Sequence, residues 1–278
     1  MHYLQILILA LVQGAAELLP VSSSAHVIVA EKLMGLDPTA PEMTLLLVML
    51  HTGTMFAVIA YFSATWRARY FASAAAFRDN VRQLVVATVA TGAVGLTLLE
   101  LIKHFAVRDA QSFEVEQLFG NARLVASALA AAGLLILVSS RLPDRRRGEI
   151  SLGRALAIGA VQGFCLPFRG FSRSGATIST GLVLGVARAR AEEFSFALAV
   201  VLTPVVIVKE AHRLYASRAF AGVGEIARVA LPSLVGMGLS FLAGLAALRW
   251  LSRWLEEGRW HFFGVYCLGA ALVVLAVG

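Results

Sequence analysis

The 278-residue chain is 59% hydrophobic with a mean hydropathy of +0.78, well beyond the roughly half-apolar make-up of soluble domains. Its net charge of +7 comes mostly from arginines that are not interleaved with aromatics in a polar setting. That pattern excludes a nucleic-acid surface and reads as loop charge facing the cytoplasm and anionic lipid. The expected class is an all-α polytopic membrane protein, with residues 1–278 forming a single integral membrane domain.

In chain order, the first apolar region covers residues 4–34 and is broken by "LPVSSSAH". It has no basic start, and Gln13 and Glu17 interrupt its first half, so it reads as a retained segment and not a cleaved leader. Three spans are expected near 43–62, 84–102 and 124–139. A second broken region covers 152–186 and is interrupted by "LPFRGFSRSG". Three more spans are expected near 194–208, 229–248 and 262–277. In both broken regions the flanking pieces are too short to span, and proline, glycine and serine fill the gap. Each is expected to be a re-entrant helical hairpin. Non-helical backbone at membrane depth is tolerated only when buried in protein or lining a wet cavity.

The expectation is therefore six transmembrane helices plus two re-entrant hairpins. The order hairpin, three spans, hairpin, three spans is a repeat of roughly 1–140 and 150–278, and an odd span count per unit makes its copies inverted. "LVQGAAELLPVSSSAH" (residues 11–26) echoes "AVQGFCLPFRGFSRSGAT" (residues 160–177), imperfectly by one residue. Inverted repeats with broken helices place their sites at the repeat interface near the midplane, so the two polar turns are expected to meet there. With both termini outside, cytoplasmic segments hold fourteen lysines and arginines and external segments eight; the positive-inside rule favours that orientation.

Gln13 and Glu17 lie four residues apart and share a helix face before the proline break. Such a pair can ligate a hard cation, Mg²⁺ or Ca²⁺, or simply form an interhelical polar contact. In "SSSAH", Ser23 precedes His26 by three residues. The imidazole can activate the hydroxyl or a water, while the neighbouring Ser22 and Ser24 can cap the helix and donate to an anion. "RGFSRSGATIS" (residues 169–179) combines an arginine, serines and glycines before a helix start, the equipment for holding phosphate. The alternative is an arginine paired with Glu17 or carbonyls for structure alone. His51 and Glu100 read as helix–helix hydrogen-bonding residues that could also support a site. Cys165 and Cys267 are isolated and read as small buried side chains.

"QGAAELLPVSSSAH" together with "GFSRSGATIS…EFSFALAV" resembles the undecaprenyl-diphosphate phosphatases of the bacitracin-resistance type, over essentially the whole chain. The resemblance implies that Gln13 and Glu17 stand at the acidic metal-associated pair. It places Ser23 and His26, with Glu17, at the catalytic positions, and Ser172, Arg173, Ser174 and Thr177 on the phosphate-binding loop. Two departures are visible: Gln13 takes the less acidic option, and Arg169 replaces a proline, adding a cation to the loop. The family's activity would be hydrolysis of undecaprenyl diphosphate to the monophosphate and phosphate. That recycles the lipid carrier of cell-wall glycans, at a site facing the outer side of the bacterial inner membrane. The expected partners are a polyprenyl diphosphate and membrane lipid, with a homodimer permitted and no nucleic acid. The rival reading is a transporter of polyprenyl phosphate lipids, which needs the same repeats and midplane anion site. Phosphate release in detergent, where transport cannot occur, separates the two.

Overall fold

A computed structural model of the chain describes residues 2–37, 40–106, 122–143, 147–168, 170–216 and 223–277. Among them the regular structure is entirely helical: α1 (Tyr3–Leu18), α2 (Ser23–Leu33), α3 (Pro41–Tyr70), α4 (Ala74–Ala106), α5 (Ala122–Ser140), α6 (Leu152–Cys165), α7 (Arg173–Val183), α8 (Arg188–Ala216), α9 (Val223–Glu256) and α10 (His261–Val277).

Both expected breaks are present, and the first is narrower than the sequence suggested. Leu19 is extended because Pro20 follows it, and the chain re-enters helix at Ser23. Ser23 to His26 therefore form the first turn of α2 and are not part of an open loop. In the second break, α6 ends at Cys165 and α7 begins at Arg173. Five helices, α3, α4, α5, α8 and α9, are long and apolar enough to cross a membrane. The expected sixth, α10, has 17 residues and falls among the shorter apolar helices with α1 and α6. Large apolar side chains such as Val89, Leu96 and Leu272 stand exposed on these helices, as a lipid-facing surface requires. Pro204 and Pro232 lie inside α8 and α9, which membrane helices tolerate.

The chain forms two compact units, each drawing on both halves of the sequence. One unit holds residues 1–19, 23–63 and 199–251. Its core is Ile6, Leu9, Ala10, Val27, Met43, Leu46 and Leu50, from α1, α2 and α3. Glycine sets the approach of α1 to α9, because a Cβ on Gly14 would lie 2.6 Å from the Ala243 Cβ and 2.7 Å from the Ser240 carbonyl. The Ser240 hydroxyl donates to the Leu50 carbonyl of α3 at 3.0 Å, tying α9 to α3 at the same level.

The second unit holds residues 20–22, 64–198 and 252–278. Here α4 packs on α6, α5 on α10, and α7 on both α5 and α6. A Cβ on Gly163 of α6 would lie 2.6 Å from the Thr91 carbonyl of α4 and 2.9 Å from the Val94 Cβ. Where α5 crosses α10, the contacts are reciprocal: Gly133 faces the Gly264 carbonyl and Leu268, while Gly264 faces the Gly133 carbonyl and Leu137.

Candidate active site

The first cluster lies in the unit built around α1, α2 and α3. Glu17, on the last turn of α1, is its hub. The Ser23 hydroxyl donates to Glu17 Oε2 at 2.6 Å, and the Gln13 amide donates to the same oxygen at 3.3 Å. His51 Nε2, on α3, stands 3.8 Å from that oxygen. His51 Nδ1 is 2.8 Å from the Leu47 carbonyl one turn back; a carbonyl can only accept, so Nδ1 carries the proton. Gln13 is buried, whereas the Glu17 and His51 side chains keep 21% and 37% exposure.

A hydroxyl has one proton, and that of Ser23 goes to Glu17. His26 sits half-buried three residues further along α2, beside half-buried Ser24. The carboxylate therefore orients the Ser23 hydroxyl. Sequence spacing could not reveal this, because the contact closes across the proline break.

The second cluster lies in the other unit. Ser172 is the N-cap of α7, and its Oγ accepts from the Gly175 amide at 3.2 Å. Its hydroxyl stands 3.5 Å from that of Ser174. Gly170 has φ +102°, and any Cβ there would lie 2.6 Å from the Val125 carbonyl, so the sharp turn before α7 requires glycine. Arg173 opens the helix and is half-buried. Thr177 is fully buried, one turn in. Its hydroxyl donates to the Arg173 carbonyl at 2.8 Å and lies 2.6 Å from the Ser195 hydroxyl of α8. Since the threonine proton goes to the carbonyl, Ser195 donates to Thr177. Ser179 is clamped by Ser139 of α5 at 2.9 Å and by the Trp260 indole at 3.2 Å. Two buried hydroxyl contacts thus fix α7 and the direction in which Arg173 leaves it. Nothing in the sequence marks Ser195 or Ser139, which look like ordinary helix serines.

Residues 20–22 belong with this second cluster. The Cys267 thiol donates to the Pro20 carbonyl at 3.2 Å, and a Cβ on Gly175 would lie 3.2 Å from the Pro20 Cβ. Ser22 is buried with φ +67°, the left-handed backbone region that non-glycine residues rarely adopt. Arg169 lies outside the described residues. Glu100 makes an exposed ion pair with Lys103 on its own helix at 3.0 Å, and not the bond to a neighbouring helix that was expected of it. The described residues contain no group of three or more His, Cys, Asp or Glu that could hold a metal. Both cysteines are buried free thiols, as expected.

A carboxylate–serine pair and a serine–arginine helix start are each chemically suited to phosphate. The profile of the bacitracin resistance protein BacA family matches residues 6–273. The chain belongs to the BacA family. A protein named undecaprenyl-diphosphatase 2 from Acinetobacter baylyi is 60% identical over 280 residues, covering 100% of this chain and 98% of the relative. An undecaprenyl-diphosphatase from Rhodopirellula baltica is 29% identical, with 98% and 96% covered. An undecaprenyl-diphosphatase 2 from Burkholderia ambifaria is 32% identical, with 96% and 94% covered. These BacA-family relatives match along the whole chain, so both clusters fall inside the shared region.

Proposed function

We infer that the chain is an undecaprenyl-diphosphate phosphatase of the BacA family, hydrolysing undecaprenyl diphosphate to undecaprenyl phosphate and inorganic phosphate. The observation that carries the chemistry is the 2.6 Å bond from Ser23 to Glu17, together with an arginine at a serine-capped helix start. Arg173, Ser172 and the first amides of α7 suit a phosphate group, with a guanidinium fork, a hydroxyl and N–H donors. An ion on Glu17 Oε2 leaves that oxygen unable to take a proton as well, so in this reading Ser23 Oγ attacks the terminal phosphorus while its proton passes to His26. The bond to the bridging oxygen breaks, and undecaprenyl phosphate leaves. His26 then directs the water that releases phosphate from the serine. Thr177 and Ser195 hold Arg173 in aim without touching substrate.

A divalent cation at Gln13 and Glu17 is part of the proposal. The residues suit such an ion: a carboxylate oxygen and an amide that a half-turn about its last bond presents as a second oxygen, 3.3 Å away. A bound ion would supply charge neutralisation to the diphosphate.

The six-plus-two topology and the inverted repeat also belong to this proposal. They are supported by the reciprocal α5–α10 crossing and by the matching approaches of α1 to α9 and of α6 to α4. Gly14 meets Ser240, Ala243 and Gly244 as Gly163 meets Thr91, Val94 and Gly95, at one constant sequence separation. The site is placed on the outer face of the bacterial inner membrane with both termini outside.

The test is phosphate release from purified protein in detergent, supplied with a polyprenyl diphosphate, with and without exhaustive chelation. Release that chelation abolishes and Mg²⁺ restores is expected. No release from well-folded protein would overturn the hydrolase reading. Release that resists chelation would leave Glu17 as a base and remove the ion.

A further inference from the structure

We propose that His51 is a third protein ligand of the ion at Gln13 and Glu17, and that the site consequently prefers a borderline ion such as Mn²⁺ to Ca²⁺. The proposal rests on the metal reading above and adds a residue and a selectivity to it.

The geometry starts with tautomer. His51 donates Nδ1–H to the Leu47 carbonyl, a bond that selects the tautomer whose Nε2 is the ligating nitrogen, and Nε2 faces Glu17 Oε2. Metal-bound histidines are held in this way, with the far nitrogen donating to a carbonyl or carboxylate that fixes the ring and raises ligand basicity. The Nε2–Oε2 separation of 3.8 Å is too long for a hydrogen bond. Two atoms that each bind a metal at about 2.1 Å can stand at most about 4.2 Å apart, so an ion fits between them with little movement. The His51 and Glu17 side chains keep 37% and 21% exposure. α3 is held at this level by the Ser240 bond to Leu50, next to His51. The ring is thus preorganised on a fixed helix.

Selectivity follows from donor type. Glu17 supplies the only carboxylate of the set, and Gln13 replaces a second anionic oxygen with a neutral one. Ca²⁺ gathers six to eight oxygens and gains affinity from ligand charge, whereas imidazole favours transition-series ions. One carboxylate, one amide and one imidazole make a poor Ca²⁺ site and a better Mn²⁺ site.

The experiment titrates untagged, purified protein with Mn²⁺ and follows bound ion by electron paramagnetic resonance, with pulsed detection of nitrogen hyperfine coupling. Wild type should bind one Mn²⁺ with imidazole nitrogen coupling, and excess Ca²⁺ should displace it poorly. His51→Gln should abolish the coupling, weaken Mn²⁺ by at least about tenfold, and narrow the preference over Ca²⁺. His26→Ala should retain the coupling, which assigns the signal. Mn²⁺ bound without nitrogen coupling, or coupling that survives His51→Gln, would overturn the role of His51 while leaving the metal reading intact. Absence of Mn²⁺ binding in protein that still releases phosphate under chelation would overturn both.

Discussion

Single side chains decide how the two clusters work. Arg173 leaves the first turn of α7, whose cap, Ser172, already uses its oxygen on the Gly175 amide. A planar guanidinium can bind two phosphate oxygens at once and an ammonium cannot. Arg173→Lys should therefore lower kcat/KM for phosphate release by about 2–4 kcal/mol of transition-state stabilisation; an unchanged rate would remove the fork from the mechanism. Ser195 acts one step further back, donating to Thr177, which donates to the Arg173 carbonyl. Ser195→Ala strips one buried hydrogen bond, about 1 kcal/mol. It should cost roughly fivefold in kcat with little change in KM, and Ser195→Thr should restore the rate because the hydroxyl returns. An equal loss in both variants would point to packing and not to the bond. None of this chain of hydroxyls was legible in the sequence. A serine in "EFSFALAV" has no spacing rule to tie it to Thr177, whereas Arg173 between two serines and before a helix start carries its chemistry openly.

At the scale of elements, glycine decides which helices can touch. Gly14 and Gly163 each admit a neighbouring backbone to within a distance that a methyl group would occupy. Gly14→Ala should push α1 from α9, and Gly163→Ala should push α6 from α4. Overpacking of this kind costs about 1–3 kcal/mol, so both variants should unfold at lower temperature in detergent. Gly14→Ala should in addition weaken the Ser23–Glu17 pairing, since Glu17 rides on the displaced helix. The polar counterpart is a buried network on α8. Arg190, 3% exposed, donates to Glu193 at 2.9 Å and to Asn80 at 2.6 Å, and Arg69 reaches the same Glu193 oxygen at 3.1 Å. Removing Glu193 takes away the buried counter-charge of Arg190 and leaves it Asn80, Gln83 and the exposed Glu149 at 3.4 Å; a broken buried pair costs up to about 3–5 kcal/mol. Glu193→Ala should thus be more damaging than Ala at an exposed pair such as Glu100–Lys103, compared by thermal unfolding. From sequence, Arg190 counted as a loop charge. Its burial depends on Asn80 and Gln83 on α4, far away in the chain. The helices outrun the expected spans for a related reason: α4 and α9 run to 33 and 34 residues, because polar turns continue the helix beyond the apolar window that marks the lipid.

For the whole molecule, the breaks in α1–α2 and α6–α7 were readable because proline, glycine and serine have few other uses inside an apolar run. How far α10 reaches was not, since its 17 helical residues lie at the lower bound for a span and tilt decides the rest. Orientation can be tested directly. If both termini lie outside, the start of α2 opens to the outer face and the turn between α3 and α4 lies in the cytoplasm, with Arg78 there 79% exposed. Single cysteines, Ser23→Cys and Arg78→Cys, would be placed in a background of Cys165→Ala and Cys267→Ser. Serine at 267 keeps a donor for the Pro20 carbonyl. A membrane-impermeant thiol reagent added to intact spheroplasts should label the cysteine at 23 and spare that at 78, which should react only after permeabilisation. A polyprenyl diphosphate should slow labelling at 23 if the pocket binds the headgroup, and leave 78 unaffected. Labelling of 78 from outside, with 23 protected, would invert the topology. It would also place phosphate release on the cytoplasmic face, where the arginine-rich segments would then have to lie outside, against the fourteen-to-eight bias in the sequence.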